Sequence, residues 1–356
     1  MKMGGRKWEV GGRKRFSHTP HPTPHTPVVN ISLPPGVKDS LPDEASKIEN
    51  IEKTILSVME RGGFKRVITP FLEYLDVLSI GLGADLRDKV FKFIDPATGR
   101  VVAIRPDITP QIARVIATRM RDYKLPLKVC YNEKIFRYQE PRSGRPREIQ
   151  QIGAELITKK SSPDADAEII IIAIDSLKGL RLKDFKIDIG DAGFVKGILE
   201  SLTLHNEEKA AIKDAIALKD GSALEAILNS LSNKLSDKDK KAIKLIPSLF
   251  GGEEILEKAL SIALNRQTKT AIENLSRILK ILSTKGFKKF ITLDLAEMRG
   301  FDYYTGIIFE GFARGIGKAI MTGGRYDSLM QKYDYPYAAI GFAFDVENVI
   351  AAMAAM

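Results

Sequence analysis

The sequence predicts an α+β fold, an antiparallel sheet flanked by helices and carrying a separate helical insertion. Three observations lead there. Strand-like runs occur as neighbouring pairs rather than alternating one by one with helices, the order of an α+β rather than a doubly wound chain. Long amphipathic segments lie between those pairs. Residues 201–286 change character: rich in Ala, Leu, Lys, Ile and Glu, they show helical periodicity and few strand signals.

The elements follow in order. Pro42 opens a helix, as proline at a first helical position does. Ile48, Ile51, Ile55 and Val58 recur at helical spacing, and Gly62-Gly63 ends the run. Val67–Pro70 reads as a short strand. Val90–Ile94 and Val101–Arg105, flanking Asp95-Pro-Ala-Thr-Gly99, read as a hairpin. Residues 107–122 read as a helix, 127–138 and 149–157 as strands joined by a basic loop, and 164–180 as an apolar helix. Beyond the insertion, strand signals return at Phe290–Leu295, Tyr303–Phe312 and Ala338–Phe344, and a last helix starts near Val346. No repeat of 20–50 residues is visible. The domains read as 1–30, a disordered basic extension; 31–200 with 287–356, the mixed core; and 201–286, the helical insertion.

Composition bounds the function. Apolar residues make up 44% and charged residues 28%, the profile of a soluble globular protein. No run of about 18 apolar residues suggests a membrane span, and no signal peptide opens the sequence. The single cysteine, Cys130, cannot form an internal disulfide and fits a reducing, cytoplasmic compartment. Cysteine-rich metal motifs are absent, and no cofactor is expected. The net charge of +10 invites a nucleic-acid partner. Half of it, however, sits in residues 1–30, where Lys2, Arg6, Lys7, Arg13, Lys14 and Arg15 oppose Glu9 alone. That segment also holds His18, His21 and His25 between prolines, a composition that does not build a core and a spacing that does not converge rings on a metal.

Five segments could carry chemistry. In Ile149–Ile157, period-2 alternation puts Ile152, Ala154 and Leu156 on one face and Gln151, Gly153 and Glu155 on the other. The plain interpretation is a half-solvated strand; the functional one is a small ligand lying over the glycine, between amide and carboxylate. In Phe136–Arg147, Arg137, Arg142, Arg145 and Arg147 offer guanidinium forks suited to phosphate, or simply a solvated basic loop. Met298–Gly306 places Arg, Asp, Tyr303 and Tyr304 close together; on a strand the two tyrosines would face opposite ways. Gly323-Gly-Arg-Tyr-Asp327 reads as a glycine-led loop. Arg105-Pro-Asp-Ile-Thr-Pro110 reads as a rigid turn in which Asp107 or Thr109 caps a helix.

Together, in this order, Arg105-Pro-Asp-Ile-Thr109, Phe136-Arg-Tyr138, Gln151-Ile-Gly-Ala-Glu155, Arg299-Gly-Phe-Asp-Tyr-Tyr-Thr-Gly306 and Gly323-Gly-Arg-Tyr-Asp327 resemble the histidyl-tRNA synthetase catalytic domain, from about residue 32 to 350. The resemblance implies the class II aminoacyl-tRNA synthetase fold, an antiparallel sheet of six or so strands, usually dimeric. It implies a histidine site at Asp107, Thr109, Gln151, Glu155, Tyr303 and Tyr304. Arg137 and Arg299 would hold the α-phosphate and substrate carboxylate, and Arg145 would be a further phosphate-facing remnant.

Three departures from the synthetase pattern imply a different role. The sequence ends at Met356, whereas synthetases continue into an anticodon-binding domain of about 100 residues. Asn348 follows Glu347 where synthetases have an arginine on ATP phosphate, and an amide supplies neither fork nor charge. Losing such a clamp costs on the order of 10²–10³ in rate. Ile149 stands where an aromatic would stack on adenine. Asp107–Arg114, Pro163–Glu168 and Ile187–Gly190 further resemble a non-catalytic branch, the ATP phosphoribosyltransferase regulatory subunits. That resemblance implies a partner, the short-form transferase subunit, in a hetero-octamer containing a dimer of this chain. It also implies L-histidine as feedback effector of the first step of histidine biosynthesis, with no catalysis of its own. The alternatives are a truncated synthetase or other amino-acid adenylating enzyme, and a tRNA-binding module.

Overall fold

The computed structural model describes residues 32–140, 145–298 and 303–355. Met1–Pro34 and Pro35–Met356 are separate units, and the expected extension over residues 1–30 lies outside the described residues. Among the described residues nine strands form one sheet. They are β1 (Lys65–Arg66), β5 (Leu127–Phe136), β6 (Glu148–Thr158), β7 (Phe185–Asp191), β8 (Phe250–Gly251), β9 (Ile291–Asp294), β10 (Ile307–Ala313), β11 (Met321–Arg325) and β12 (Ala338–Asp345). The order is β1-β5-β6-β12-β11-β10-β7-β9-β8. Its centre, β5-β6-β12-β11-β10-β7, is antiparallel throughout; parallel pairing appears only where β1 joins β5 and β9 joins β7. A small second sheet pairs β2 (Leu72–Tyr74), β4 (Val101–Ile104) and β3 (Lys92–Ile94).

Helix α1 (Pro42–Arg61) starts on its proline and buries Ile51, Ile55, Val58 and Met59. Short helices α2 (Leu75–Gly81) and α3 (Ala84–Arg87) precede the hairpin. After it, α4 (Thr109–Arg119) leads into the central strands. Helix α5 (Pro163–Gly179) has Ser162 accepting from the Ala165 N–H and proline in its first turn. It is apolar nearly all round because it lies within the core, packed between α1 and α11 (Arg266–Thr284). Helix α6 (Ala192–Glu200) packs on α11 as well; α7 (Asn206–Ala217), α8 (Gly221–Ser230), α9 (Asp237–Leu245) and α10 (Ile255–Ser261) come between. The last helices are α12 (Asp327–Lys332) and α13 (Val346–Ala354).

One sheet face builds the main core: Ile152, Ala154 and Leu156 of β6, Ile187 and Ile189 of β7, Phe309, Phe342 and Phe344 join α1, α5, α6 and α11. Ile212, Leu224, Ile243 and Leu275 of the 201–286 segment belong to the same cluster. A second cluster holds Ile108, just before α4, with Ile112 and Ile116 of that helix, Tyr131, Tyr326 and Leu329. No helix among the described residues is long and apolar enough to cross a membrane.

Three local expectations change. The short strand is Lys65–Arg66, not Val67–Pro70, although the Val67 N–H still donates to the Cys130 carbonyl at 2.9 Å. Gly323 and Gly324 lie inside β11 rather than in a loop. Tyr303 and Tyr304 precede β10 in non-strand backbone, so strand alternation does not separate them.

Candidate functional site

The polar face of β6 is not solvated. Gln151 is 8% and Glu155 1% exposed, because this face forms the floor of a cavity of about 640 Å³. Glycines create the room. Gly341 of β12 pairs with Glu155, and a Cβ there would lie 1.5 Å from Glu155 Oε2. Gly153 admits Tyr131, whose Oη would sit 2.3 Å from a Cβ, and Gly324 admits the Tyr304 ring. Glycine strands are weak by propensity; here side chains from neighbouring segments occupy the missing volume.

Glu155 is the hub. Thr109 Oγ1 donates to its Oε1 at 2.8 Å, Tyr326 Oη to its Oε2 at 2.5 Å, and Tyr131 Oη approaches Oε1 at 3.4 Å. Burial dominates its titration and pushes the carboxyl up to about 8; the Tyr326 and Thr109 hydroxyls oppose the shift, and the negative charge of Asp107 adds to it. Burial likewise raises Asp107, against the pull of Arg137. Arg137 donates through Nε to the Pro106 carbonyl at 2.7 Å and lies 3.5 Å from Asp107 Oδ1.

Asp107, Thr109, Arg137, Arg145, Gln151, Glu155, Tyr303 and Tyr304 all line this one cavity. Arg299 lies outside the described residues. Thr109 does not cap α4; its hydroxyl serves Glu155, and the helix is capped by Ile108 with no side-chain bond. Arg105 is structural: 2% exposed, it donates to the Lys134 and Thr69 carbonyls and pairs with Glu133 at 2.7 Å. Tyr303 and Tyr304 meet edge to face at 5.2 Å. Two residues of the lining each carry a buried polar atom, Gln151 Oε1 and Tyr303 Oη, with no hydrogen-bond partner among the described residues. Such atoms cost free energy unless something pairs with them. Tyr131 and Tyr326, which complete the Glu155 cluster, were not expected from the sequence. The signal that could have marked them is Gly153 beside Glu155, since a strand glycine announces a close approach.

The other end of the cavity differs. Ile149, Lys318 and Asn348 line it. Asn348 Nδ2 donates to the Ala319 carbonyl at 2.9 Å, so its amide is committed to the backbone. Arg325 of the glycine-led segment faces away from the ligand space. It is 3% exposed, pairs with Asp166 of α5 and reaches Asp327 Oδ1 at 3.1 Å. The Pro163–Glu168 motif thereby anchors β11 to the central helix. No group of three or more His, Cys, Asp or Glu among the described residues could hold a metal.

Comparison with known proteins agrees with this architecture. Residues 36–349 match the family described as histidyl-tRNA synthetase. The ATP phosphoribosyltransferase regulatory subunit of Geobacter sulfurreducens is 46% identical over 93% of this chain and 75% of its own length. That of Moorella thermoacetica is 38% identical over 90% and 82%. A crystal structure of an ATP phosphoribosyltransferase regulatory subunit/histidyl-tRNA synthetase from Bacillus halodurans superposes with a TM-score of 0.84 at 30% identity, covering 91% of this chain and 83% of that one. Histidyl-tRNA synthetase from Nostoc, 22% identical with a TM-score of 0.77 over 92% and 76%, shares the class II fold. The chain belongs to the histidyl-tRNA synthetase-like family, in the branch of ATP phosphoribosyltransferase regulatory subunits.

Proposed function

We propose that this protein is the regulatory subunit of ATP phosphoribosyltransferase, acting at the first step of histidine biosynthesis and binding histidine in the Glu155 cavity. The observation that carries the role is the name borne by curated relatives 44–46% identical over 91–93% of the chain. The cavity's chemistry supports the ligand. Asp107 and Glu155 suit an ammonium, and Arg137, with Arg299 from the family signature, suits the carboxylate. Gln151 Oε1 and Tyr303 Oη offer unpaired partners to an imidazole. A carboxyl whose pKa is about 8 is mostly protonated at neutral pH before a ligand binds and ionises when an ammonium comes to lie beside it.

This role requires no catalysis by the chain itself. Asn348 and Ile149 provide neither phosphate fork nor adenine stack, which supports a scaffold that binds without adenylating. Histidine would regulate by binding one assembly state better than another, since a ligand shifts an equilibrium only through differential affinity. The partner is the short-form transferase subunit, assembled with a dimer of this chain in a cytoplasmic hetero-octamer. The segment 201–286 is an insertion into a core of 31–200 and 287–356. The test is calorimetry of histidine into the chain mixed with the short transferase subunit. Saturable binding that Glu155→Ala abolishes is the expected result; no heat of binding from the mixture would sink the effector role. Histidine-dependent ATP–pyrophosphate exchange by the chain alone would favour the adenylating alternative instead.

A further inference from the structure

A second depression, of about 520 Å³, opens at a different place on the sheet. It forms where β10 ends and where β7 and β9 begin. The antiparallel register sets Phe312 opposite Lys186 and Ala313 opposite Phe185, and Lys289 and Phe290 lead into β9, which runs parallel to β7. Three separate stretches therefore bring Lys183, Lys186, Lys289 and Arg314 to one rim. Among the described residues lining it, Asp184 is the lone carboxylate. It sits 3.7 Å from Arg314 with both side chains mostly exposed, 65% and 85%, a pair worth little.

We propose that this depression binds a phosphate-bearing ligand of nucleotide size, its phosphates held by Lys183, Lys186, Lys289 and Arg314 and its aromatic body resting on Phe290 and Phe312. Asp184 offsets one of the four cations, and the three charges left over repel each other until a further anion lies among them. The residues outside 1–30 carry a net charge of only +5 over 326 positions, so such convergence is not the general state of this surface. Lys186 donates one N–H to the Lys289 carbonyl at 2.6 Å, which fixes its ammonium at the rim, and an ammonium has two further donors. The floor is aromatic rather than polar. Phe290 stacks on the buried Phe185 at 4.7 Å with planes 8° apart, the Lys289 ammonium lies 5.0 Å over the Phe290 ring, and the half-buried Phe312 lines the same depression. A metal-free polyphosphate with a flat base matches this combination of cationic rim and aromatic floor. Phe312 also lines the main cavity, so the two spaces share a side chain while their charged groups differ.

The experiment titrates ADP into the whole chain at low salt and repeats it with the double variant Lys183→Glu/Lys289→Glu. Lys186 is left in place because it ties two segments together. The expected result is measurable ADP binding that weakens at least tenfold in the variant, with the unfolding temperature unchanged. ADP binding of equal strength in wild type and variant would put the nucleotide elsewhere and overturn the proposal, as would the absence of binding to wild type. Pyrophosphate, which lacks a base, should bind more weakly than ADP; equal affinity would remove the role given to Phe290 and Phe312. The outcome is independent of histidine binding, which a separate titration reads.

Discussion

Replacing Glu155 with glutamine should flatten the dependence of stability on pH. The carboxyl is 1% exposed and titrates at about 8, against an ordinary value of 4.5. Its folded pKa is therefore raised. The stabilisation it contributes is fully present below about pH 4.5 and is lost as pH rises through 8, because above that point the fold must bury a carboxylate. Within this window the folded state holds close to one more proton than the unfolded chain, so stability falls by about 1.4 kcal/mol per pH unit from this group. Between pH 5.5 and 7.5 that is on the order of 2–3 kcal/mol. Asp191, raised to about 7 chiefly by burial, adds a slope of the same sign, so the variant should keep part of the dependence. Glutamine mimics the neutral acid in size and can still accept from Thr109 or Tyr326. Guanidinium unfolding at pH 5.5, 6.5 and 7.5 gives the slope for each protein. A variant whose slope equals that of wild type would refute the reasoning, since Glu155 would then not hold its proton across this range.

Further outcomes follow from the same geometry. Gly341→Ala should cost about 1–3 kcal/mol in chemical denaturation, because the new methyl lands 1.5 Å from Glu155 Oε2 and 2.7 Å from the Ala154 carbonyl oxygen; Gly317→Ala, with nothing within 4 Å, should be within about 0.5 kcal/mol of wild type. Arg325→Ala should lose about 3–5 kcal/mol by leaving Asp166 buried without its cation, read by the same unfolding curves. Histidine binding at pH 7 should release a proton as the arriving ammonium ionises Glu155, seen as a calorimetric enthalpy that changes with the buffer's own ionisation enthalpy.

Much of the architecture was legible in sequence because local rules and tertiary demands agree. Pro42 and Gly62 bracket α1, and the alternation of Ile149–Ile157 describes β6. The eight described residues expected at the site do converge on one cavity. What local rules missed was decided by neighbours. Gly323 and Gly324 look like a turn, yet the Phe309 and Tyr304 rings fill the space above them and keep them in a strand. The Gln151–Glu155 face looks solvated; only the opposing Tyr131, Tyr326 and Thr109 make it a buried pocket. Tyr131 gives no local sign of its role, because it meets Glu155 through the register of β5 on β6, 24 positions away in sequence. Thr109 reads as a cap until the distance to Glu155 is known.

The most direct measurement of the central claim is the rate of the short-form transferase subunit with and without this chain, over a range of histidine concentrations. Adding the chain should raise the rate and histidine should then lower it, with Glu155→Ala blunting the inhibition. A rate indifferent to the chain would contradict that claim.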